Sequence, residues 1–196
     1  MLNYEEVLKV FVDSGALIEG HFLLTSGRHS NQYMQCAKVL QYPHYTEMLA
    51  RQLADKFRDD NIEIVIGPAL GGIVVAYEVA RQLNVPAIFT ERLHGEMVLR
   101  RGFLMDVGQR ALVVEDVVTT GGSVREVMNV VDKLGAKVVG VGVLVDRSNG
   151  QVDFGVKQEA VLNMDISSWE ASDCPLCARG KLPLVKPGSR TKQEGI

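Results

Sequence analysis

The sequence predicts an α/β fold with a mainly parallel central sheet, and three observations carry that prediction. Apolar, largely β-branched runs stand at residues 62–66, 85–89, 111–114 and 137–145, as expected of strands buried on both faces. Helical patterns follow the first and the third of these runs, the alternation that builds parallel sheets. Glycine-rich turns, GPALGG at 67–72 and TTGGS at 119–123, join those strands to those helices. They lie at the carboxyl ends of strands, where open sheets of this class bind ligands.

Taken in order, residues 3–14 form an amphipathic helix with Val7, Leu8, Phe11 and Val12 on one face and Glu5, Glu6 and Lys9 in water. Gly15 is its expected end. Residues 22–40 read as two short strands around a polar turn at 25–31. A helix over 45–58 places Met48, Leu49, Leu53 and Phe57 towards the core. The strand at 62–66 runs into the first glycine turn and a helix ending near Leu83. The strand at 85–89 leads into TERLHGEMVLRRGF, 90–103, a polar segment between apolar strand candidates. The strand at 137–145 ends in Asp146-Arg147, and a last strand is expected at 156–164. The chain reads as one domain, 1–196, with about 1–40 and 165–196 contributing a hood and a tail over the sheet's ligand-binding edge.

With 46% hydrophobic and 23% charged residues this is the composition of a soluble globular chain. A net charge of −3 gives no reason to expect nucleic acid or an anionic membrane as partner. No apolar run is long enough to span a bilayer, and the N-terminus, MLNYEEVLKVF, lacks the order of a signal peptide. Three cysteines do not build a disulfide framework, so a reducing cytoplasm is the expected location.

The chemistry concentrates in ALVVEDVVTTGGS, residues 111–123. The helix that follows offers unpaired N–H groups and roughly half a positive charge at its start. Gly121 and Gly122 allow close backbone approach to an anion, and Thr119, Thr120 and Ser123 can donate hydroxyls. Glu115 and Asp116, where the strand is expected to end, would repel a phosphate. They suit neighbouring hydroxyls, or a divalent cation held through water. A sugar phosphate satisfies both halves. The competing phosphate motifs are missing: there is no GxxxxGK[ST], and Gly140-Val-Gly142 lies in an apolar run without a third glycine.

This stretch resembles the phosphoribosyl-pyrophosphate signature of the type I phosphoribosyltransferases, and most of the chain, from the SGR segment to Arg147, resembles their orotate-specific branch. The resemblance implies the type I phosphoribosyltransferase fold and transfer of the phosphoribosyl group of phosphoribosyl pyrophosphate to orotate. Mg²⁺ would be bound through the substrate, with no metal ligated by the chain. A homodimer is implied, with segment 90–101 near the partner's site. By this resemblance Glu115 and Asp116 hold the ribose, and Thr119, Thr120, Gly121, Gly122 and Ser123 hold the 5′-phosphate. Ala69, Leu70, Gly71 and Gly72 form the pyrophosphate loop, with glycine at 71 where many relatives carry lysine. Ser26, Arg28, Ser30 and Tyr33, from SGRHSNQY, together with Thr119 and Arg147, match the base-binding pattern; Thr25 stands where lysine is common. Segment 90–103 matches the mobile catalytic loop by position but contains no lysine. Arg92 and His94 are the replacements at the departing pyrophosphate, with Asp116 as third catalytic residue and Arg100 and Arg101 as reserves. A purine-specific transferase and a non-catalytic nucleotide sensor share most of these features.

The tail, SDCPLCARGKLPLVKPGSR, turns towards Pro, Gly and basic residues. Cys174-x-x-Cys177 has the spacing of half a zinc knuckle, but two ligands are too few and Cys36 is distant. Two chains could supply four cysteines by symmetry. A redox pair would sit at a helix start after a strand, which this region does not suggest. A reduced pair in a loop is the expectation, and residues 186–190 read equally well as a disordered end.

Overall fold

Small and β-branched apolar residues in the middle of the chain build a six-stranded sheet that positions everything else. The computed structural model describes residues 2–24 and 26–187; Thr25 and residues 188–190 of the tail lie outside them. In chain order the elements are α1 (Tyr4–Asp13), β1 (Leu17–Leu23), β2 (His29–Met34), α2 (Ala37–Leu40), α3 (Pro43–Asp55), β3 (Ile64–Pro68), α4 (Gly71–Leu83), β4 (Ala87–Leu93), β5 (Glu96–Leu99), β6 (Arg110–Val118), α5 (Gly122–Lys133), β7 (Lys137–Asp146), β8 (Lys157–Asn163), β9 (Ser168–Trp169) and α6 (Pro175–Arg179). The main sheet has the order β5-β4-β3-β6-β7-β8. All its neighbours are parallel except β4 and β5, which pair antiparallel. The predicted α/β class and mainly parallel sheet are what forms.

Strand β6 shows why such strands read as continuous apolar runs. Leu112 and Val114 pack with Leu49, Leu53, Val75 and Val79 from α3 and α4. Ala111 and Val113 pack with Val124, Val127 and Val131 from α5. Alternate side chains thus enter two separate cores, each full burial contributing about 1.5–3 kcal/mol. The Gly140-Val-Gly142 pattern in β7 serves packing. A Cβ at Gly140 would stand 2.7 Å from Cε1 of Phe57, and one at Gly142 3.2 Å from both Leu53 and Phe57.

Several boundaries and faces differ from expectation. Helix α1 is closed at its start by a capping box in which Asn3 and Glu6 exchange bonds. Its buried face is Val7, Val10 and Phe11, whereas Val12 is 53% exposed. Helix α3 starts earlier, at Pro43, and Met48 faces outward. The strand pair expected within 22–40 begins at Leu17, and the chain turns helical again at Ala37. The hood is a separate three-stranded sheet, β1-β2-β9. It joins the N-terminal hairpin to the chain after β8, and an isolated bridge from Phe22 to Val185 extends that union into the tail. Strand β9, rather than the strand at 156–164, is therefore the last. None of the described helices is long and apolar enough to cross a membrane.

Candidate active site

The two glycine turns lie side by side because β3 and β6 are sheet neighbours. From β3 the connection passes outward to β4, and from β6 it passes the other way to β7, so the strand order reverses between them. Such a reversal opens a crevice at the carboxyl ends of the strands. Helices α4 and α5 both begin there. Neither has a side-chain cap or an acid in its first turn, which leaves their leading N–H groups available to anions.

Beyond β6, Gly121 adopts a left-handed conformation with φ 76°. A Cβ there would come within 2.8 Å of Val152 and 2.9 Å of Phe154, so conformation and packing both demand glycine. Thr119, Thr120, Gly121, Gly122 and Ser123 line a cavity of about 210 Å³ together with Glu115, Arg92 and Glu126. Beyond β3, Ala69 and Leu70 are joined by a cis peptide bond and form an exposed rim, Leu70 being 83% exposed. The Ala69 N–H donates to the Thr90 carbonyl at 2.8 Å, fixing the rim to β4.

Glu115 and Asp116 lie inside β6, which continues to Val118, rather than at its end. The two carboxylates stay within reach of each other and face different parts of the crevice. Glu115 lines the α5 cavity, while Asp116 sits against Gly71, where an added Cβ would overlap its carboxylate. At Gly72 a Cβ would stand 2.7 Å from Pro68 and 3.3 Å from Oε1 of Glu115. The approach of α4 to the acid pair thus requires both glycines. Oε1 of Glu115 accepts the Asp116 N–H at 3.1 Å, and Oδ1 of Asp116 accepts the Val117 N–H at 2.7 Å. No salt bridge among the described residues reaches either acid. Burial, reinforced by the Asp116 charge, pushes the Glu115 carboxyl up to about 9, and burial raises Asp116 as well. An acid pair in this state gains most from a ligand that brings positive charge or hydroxyl donors.

Arg147 follows β7, and its N–H donates to the Val118 carbonyl at 2.8 Å. Its Nε is buried and has no hydrogen-bond partner among the described residues. Asp146 does not pair with it; Oδ1 of Asp146 accepts the Ser148 N–H at 2.7 Å instead. Burial lowers the Arg147 pKa, and the phenol of Tyr33 and the thiol of Cys36 are the groups that feel its charge. Tyr33, from β2, tilts against Phe22 with ring centroids 5.8 Å apart. The other predicted base-binding residues hold the hood together. Arg28 donates to Ser168 Oγ at 2.9 Å and to its carbonyl at 2.6 Å, and it pairs with Glu170. Ser30 is fully buried and donates to the Ser167 carbonyl at 2.8 Å. Ser26 is exposed and accepts the Arg28 N–H at 3.4 Å.

Segment 90–101 is not an irregular loop. It is the β4–β5 hairpin, turned by His94 and Gly95 at φ 51° and 90°, values that match a two-residue type I′ turn. His94 stands exposed at the tip, outside the cavity lining. Arg92 lines the α5 cavity of its own chain, paired with Glu126 and donating to the Gly95 carbonyl at 3.0 Å. It faces the TTGGS turn rather than the Gly71 turn. Arg100 and Arg101 both pair with Glu91, at 3.3 and 3.0 Å.

Sequence reasoning missed Glu126, whose role depends on a contact between distant elements, and the surroundings of the CxxC pair. Cys174 is the N-cap of α6, so the pair does stand at a helix start. His21 and His29 converge on it from the hood, and the four ligand atoms lie within 4.8 Å of one another. No spacing in the sequence announces this, since His29 and Cys177 are 148 residues apart.

Residues 39–171 match the phosphoribosyl transferase domain family. The chain is 59% identical over 189 residues to the orotate phosphoribosyltransferase of Pelotomaculum thermopropionicum, a span that covers 96% of this chain and 99% of that protein. It is 56% identical over 189 residues to the enzyme of the same name from Desulforamulus reducens, covering 96% and 98%. Its fold is similar to the crystal structure of orotate phosphoribosyltransferase from Aeropyrum pernix, with TM-score 0.67 and 27% identity over 81% of this chain and 93% of that one. A switch point with two open helix starts, an acid pair between them and relatives that run almost end to end lead to one assignment: the chain belongs to the phosphoribosyl transferase family, in its orotate phosphoribosyltransferase branch.

Proposed function

We propose that the protein transfers the phosphoribosyl group of phosphoribosyl pyrophosphate to orotate, giving orotidine 5′-monophosphate and pyrophosphate in pyrimidine biosynthesis. The observation that carries the choice of base is the buried, unpartnered Nε of Arg147 beside Tyr33. A planar carboxylate is the ligand a guanidinium meets best, and orotate supplies one.

In this reading the amides of the TTGGS turn and the hydroxyls of Thr119, Thr120 and Ser123 take the 5′-phosphate, with Arg92 at the wall of the same cavity. Glu115 and Asp116 accept the ribose hydroxyls, and their ionised form favours positive charge on the sugar. The backbone of Ala69, Leu70, Gly71 and Gly72 receives the pyrophosphate, towards which His94 moves if the hairpin folds over the crevice. The orotate ring nitrogen forms the bond to C1 of the ribose as the C1–O bond to pyrophosphate breaks, its electrons leaving with pyrophosphate, and the proton displaced from that nitrogen passes to pyrophosphate or to solvent. No protein nucleophile is needed; positioning and electrostatics supply the rate. The two neighbouring carboxylates, which no salt bridge among the described residues reaches, fit a Mg²⁺ that arrives with the substrate. When bound, Mg²⁺ neutralises the leaving group's charge. We take the active species to be a cytoplasmic homodimer, which light scattering of the purified protein tests.

The test is orotate consumption by ultraviolet absorbance with Mg²⁺ and phosphoribosyl pyrophosphate, run beside adenine, hypoxanthine, xanthine and uracil. Turnover with orotate alone is expected. Turnover with a purine instead would move the base assignment, and tight binding without any turnover would make the chain a sensor.

A further inference from the structure

Outside the crevice, the described residues contain one cluster of metal-ligating side chains drawn from two distant parts of the chain. The β1–β2 register shifts between Glu19 and Phe22, a bulge that re-aims the residues within it. His21 lies in this bulge, and His29 pairs with Leu23 one diagonal step away, so both imidazoles project towards the segment packed beneath the hood. Cys174 and Cys177 approach from that segment, at the start of α6. The separations are 3.0 Å from His21 Nε2 to His29 Nδ1, 3.4 Å from His21 Nε2 to Cys174 Sγ, 3.6 Å from His21 Nε2 to Cys177 Sγ, and 3.2 Å from His29 Nδ1 to Cys177 Sγ.

Hydrogen bonding alone does not account for this packing. Nδ1 of His21 faces the Leu182 carbonyl at 3.3 Å, and by donating there it leaves Nε2 as a bare acceptor. That nitrogen has one lone pair, yet three potential partners crowd it. The tetrahedral Zn²⁺ bond lengths, about 2.0–2.1 Å to nitrogen and about 2.3 Å to sulfur, require ligand atoms roughly 3.3–3.8 Å apart. These four spacings fall close to that range, and all four ligand atoms lie within 4.8 Å of one another. The Leu182 carbonyl is the outer-shell acceptor that orients a metal-bound imidazole. His21, His29 and Cys174 are at most 5% exposed, and Cys177 is exposed, which gives an ion a way in.

We propose that His21, His29, Cys174 and Cys177 bind one structural Zn²⁺ that fastens the hood to the C-terminal segment. Two thiols lose their protons to the solvent on binding, and two thiolates with two neutral imidazoles leave the loaded site uncharged, as its burial requires. All four tetrahedral positions are filled by the protein, so the site has no open position for catalysis. Its consequence is mechanical: the same hairpin carries Tyr33 into the crevice.

The experiment uses the reduced full-length protein, freed of metal by a chelator and titrated with Zn²⁺ and with Co²⁺ as probe. About one Zn²⁺ per chain should survive desalting, and Co²⁺ should give the intense visible bands of a tetrahedral ion with thiolate charge transfer. The Cys174→Ser/Cys177→Ser variant should retain less than about a tenth of that zinc. His29→Gln, which keeps both thiols, should weaken binding at least about tenfold. A reduced wild type that takes up neither ion, an octahedral Co²⁺ spectrum, or a His29→Gln variant that binds zinc like the wild type would each overturn the site. None of these readings depends on turnover of orotate.

Discussion

Leaving a buried guanidinium nitrogen without an acceptor costs on the order of 1–3 kcal/mol, and Nε of Arg147 is in that state. A ligand carboxylate that removes the deficit gains affinity in proportion. Arg147→Ala should therefore raise the KM for orotate about 10–100-fold while leaving that for phosphoribosyl pyrophosphate within about twofold. Equal increases in both would take Arg147 away from the base. Glu115 makes the opposite trade. With its carboxyl at about 9 against an ordinary 4.5, the group is neutral in folded and unfolded chains below pH about 4.5, and burial then costs nothing. Between the two values the unfolded chain ionises first, so the ligand-free protein loses stability as pH rises, levelling off above about 9. Glu115→Gln removes this penalty. Its melting point should exceed that of the wild type at pH 8, by about 1–2 kcal/mol of stability, and match it near pH 5. Turnover should fall about 100-fold. A variant that melts lower at pH 8 would rule out a buried, protonated Glu115.

At the scale of elements, α4 is positioned by what its first residues lack. Gly71→Ala places a methyl group in the space of the Asp116 carboxylate, and the pairing of β6 with β7 on both sides of Asp116 in sequence limits how far it can retreat. We expect turnover to fall about tenfold or more, with a smaller loss of stability of about 1 kcal/mol. Unchanged turnover with normal folding would show that the Asp116 position is not critical. This contact could not be read from the sequence, in which GG after a strand looks like mere freedom for an anion. The existence of β3, β4, β6 and β7, and of the helices after β3 and β6, was legible, because burial on both faces writes an unbroken apolar run. The ends were not. Strand β6 carries two acids into the sheet because the crevice leaves them room, and a pattern of apolar residues stops at Val114. The hairpin pairing was not legible for a related reason: its turn is His94-Gly95 with both residues at positive φ, and His-Gly is not among the pairs that usually signal a two-residue turn. Arg92, placed by that hairpin against Glu126, should on change to Ala weaken binding of phosphoribosyl pyrophosphate about 5–20-fold with little effect on orotate.

Across the whole molecule, local motifs were legible and closures were not. TTGGS and the acid pair carry their chemistry in adjacent residues, so the crevice could be located from the sequence. The hood depends on β9, two residues long, and on partners from opposite ends of the chain, which no window reveals. The two cores meet only through the sheet, α4 resting on one side and α5 on the other. A ligand that spans both uncapped helix starts would therefore link two otherwise separate layers. Phosphoribosyl pyrophosphate with Mg²⁺ at about 100 times its dissociation constant should add about 2.7 kcal/mol to the folded state. Hydrogen exchange should slow together at the leading amides of α4, residues 71 and 72, and of α5, residues 122–124. Inorganic phosphate, with one anionic end, should protect one set alone. If the full substrate also protected only one set, the crevice would bind a single phosphate, and the two-cradle geometry would have to give way to a site on α5.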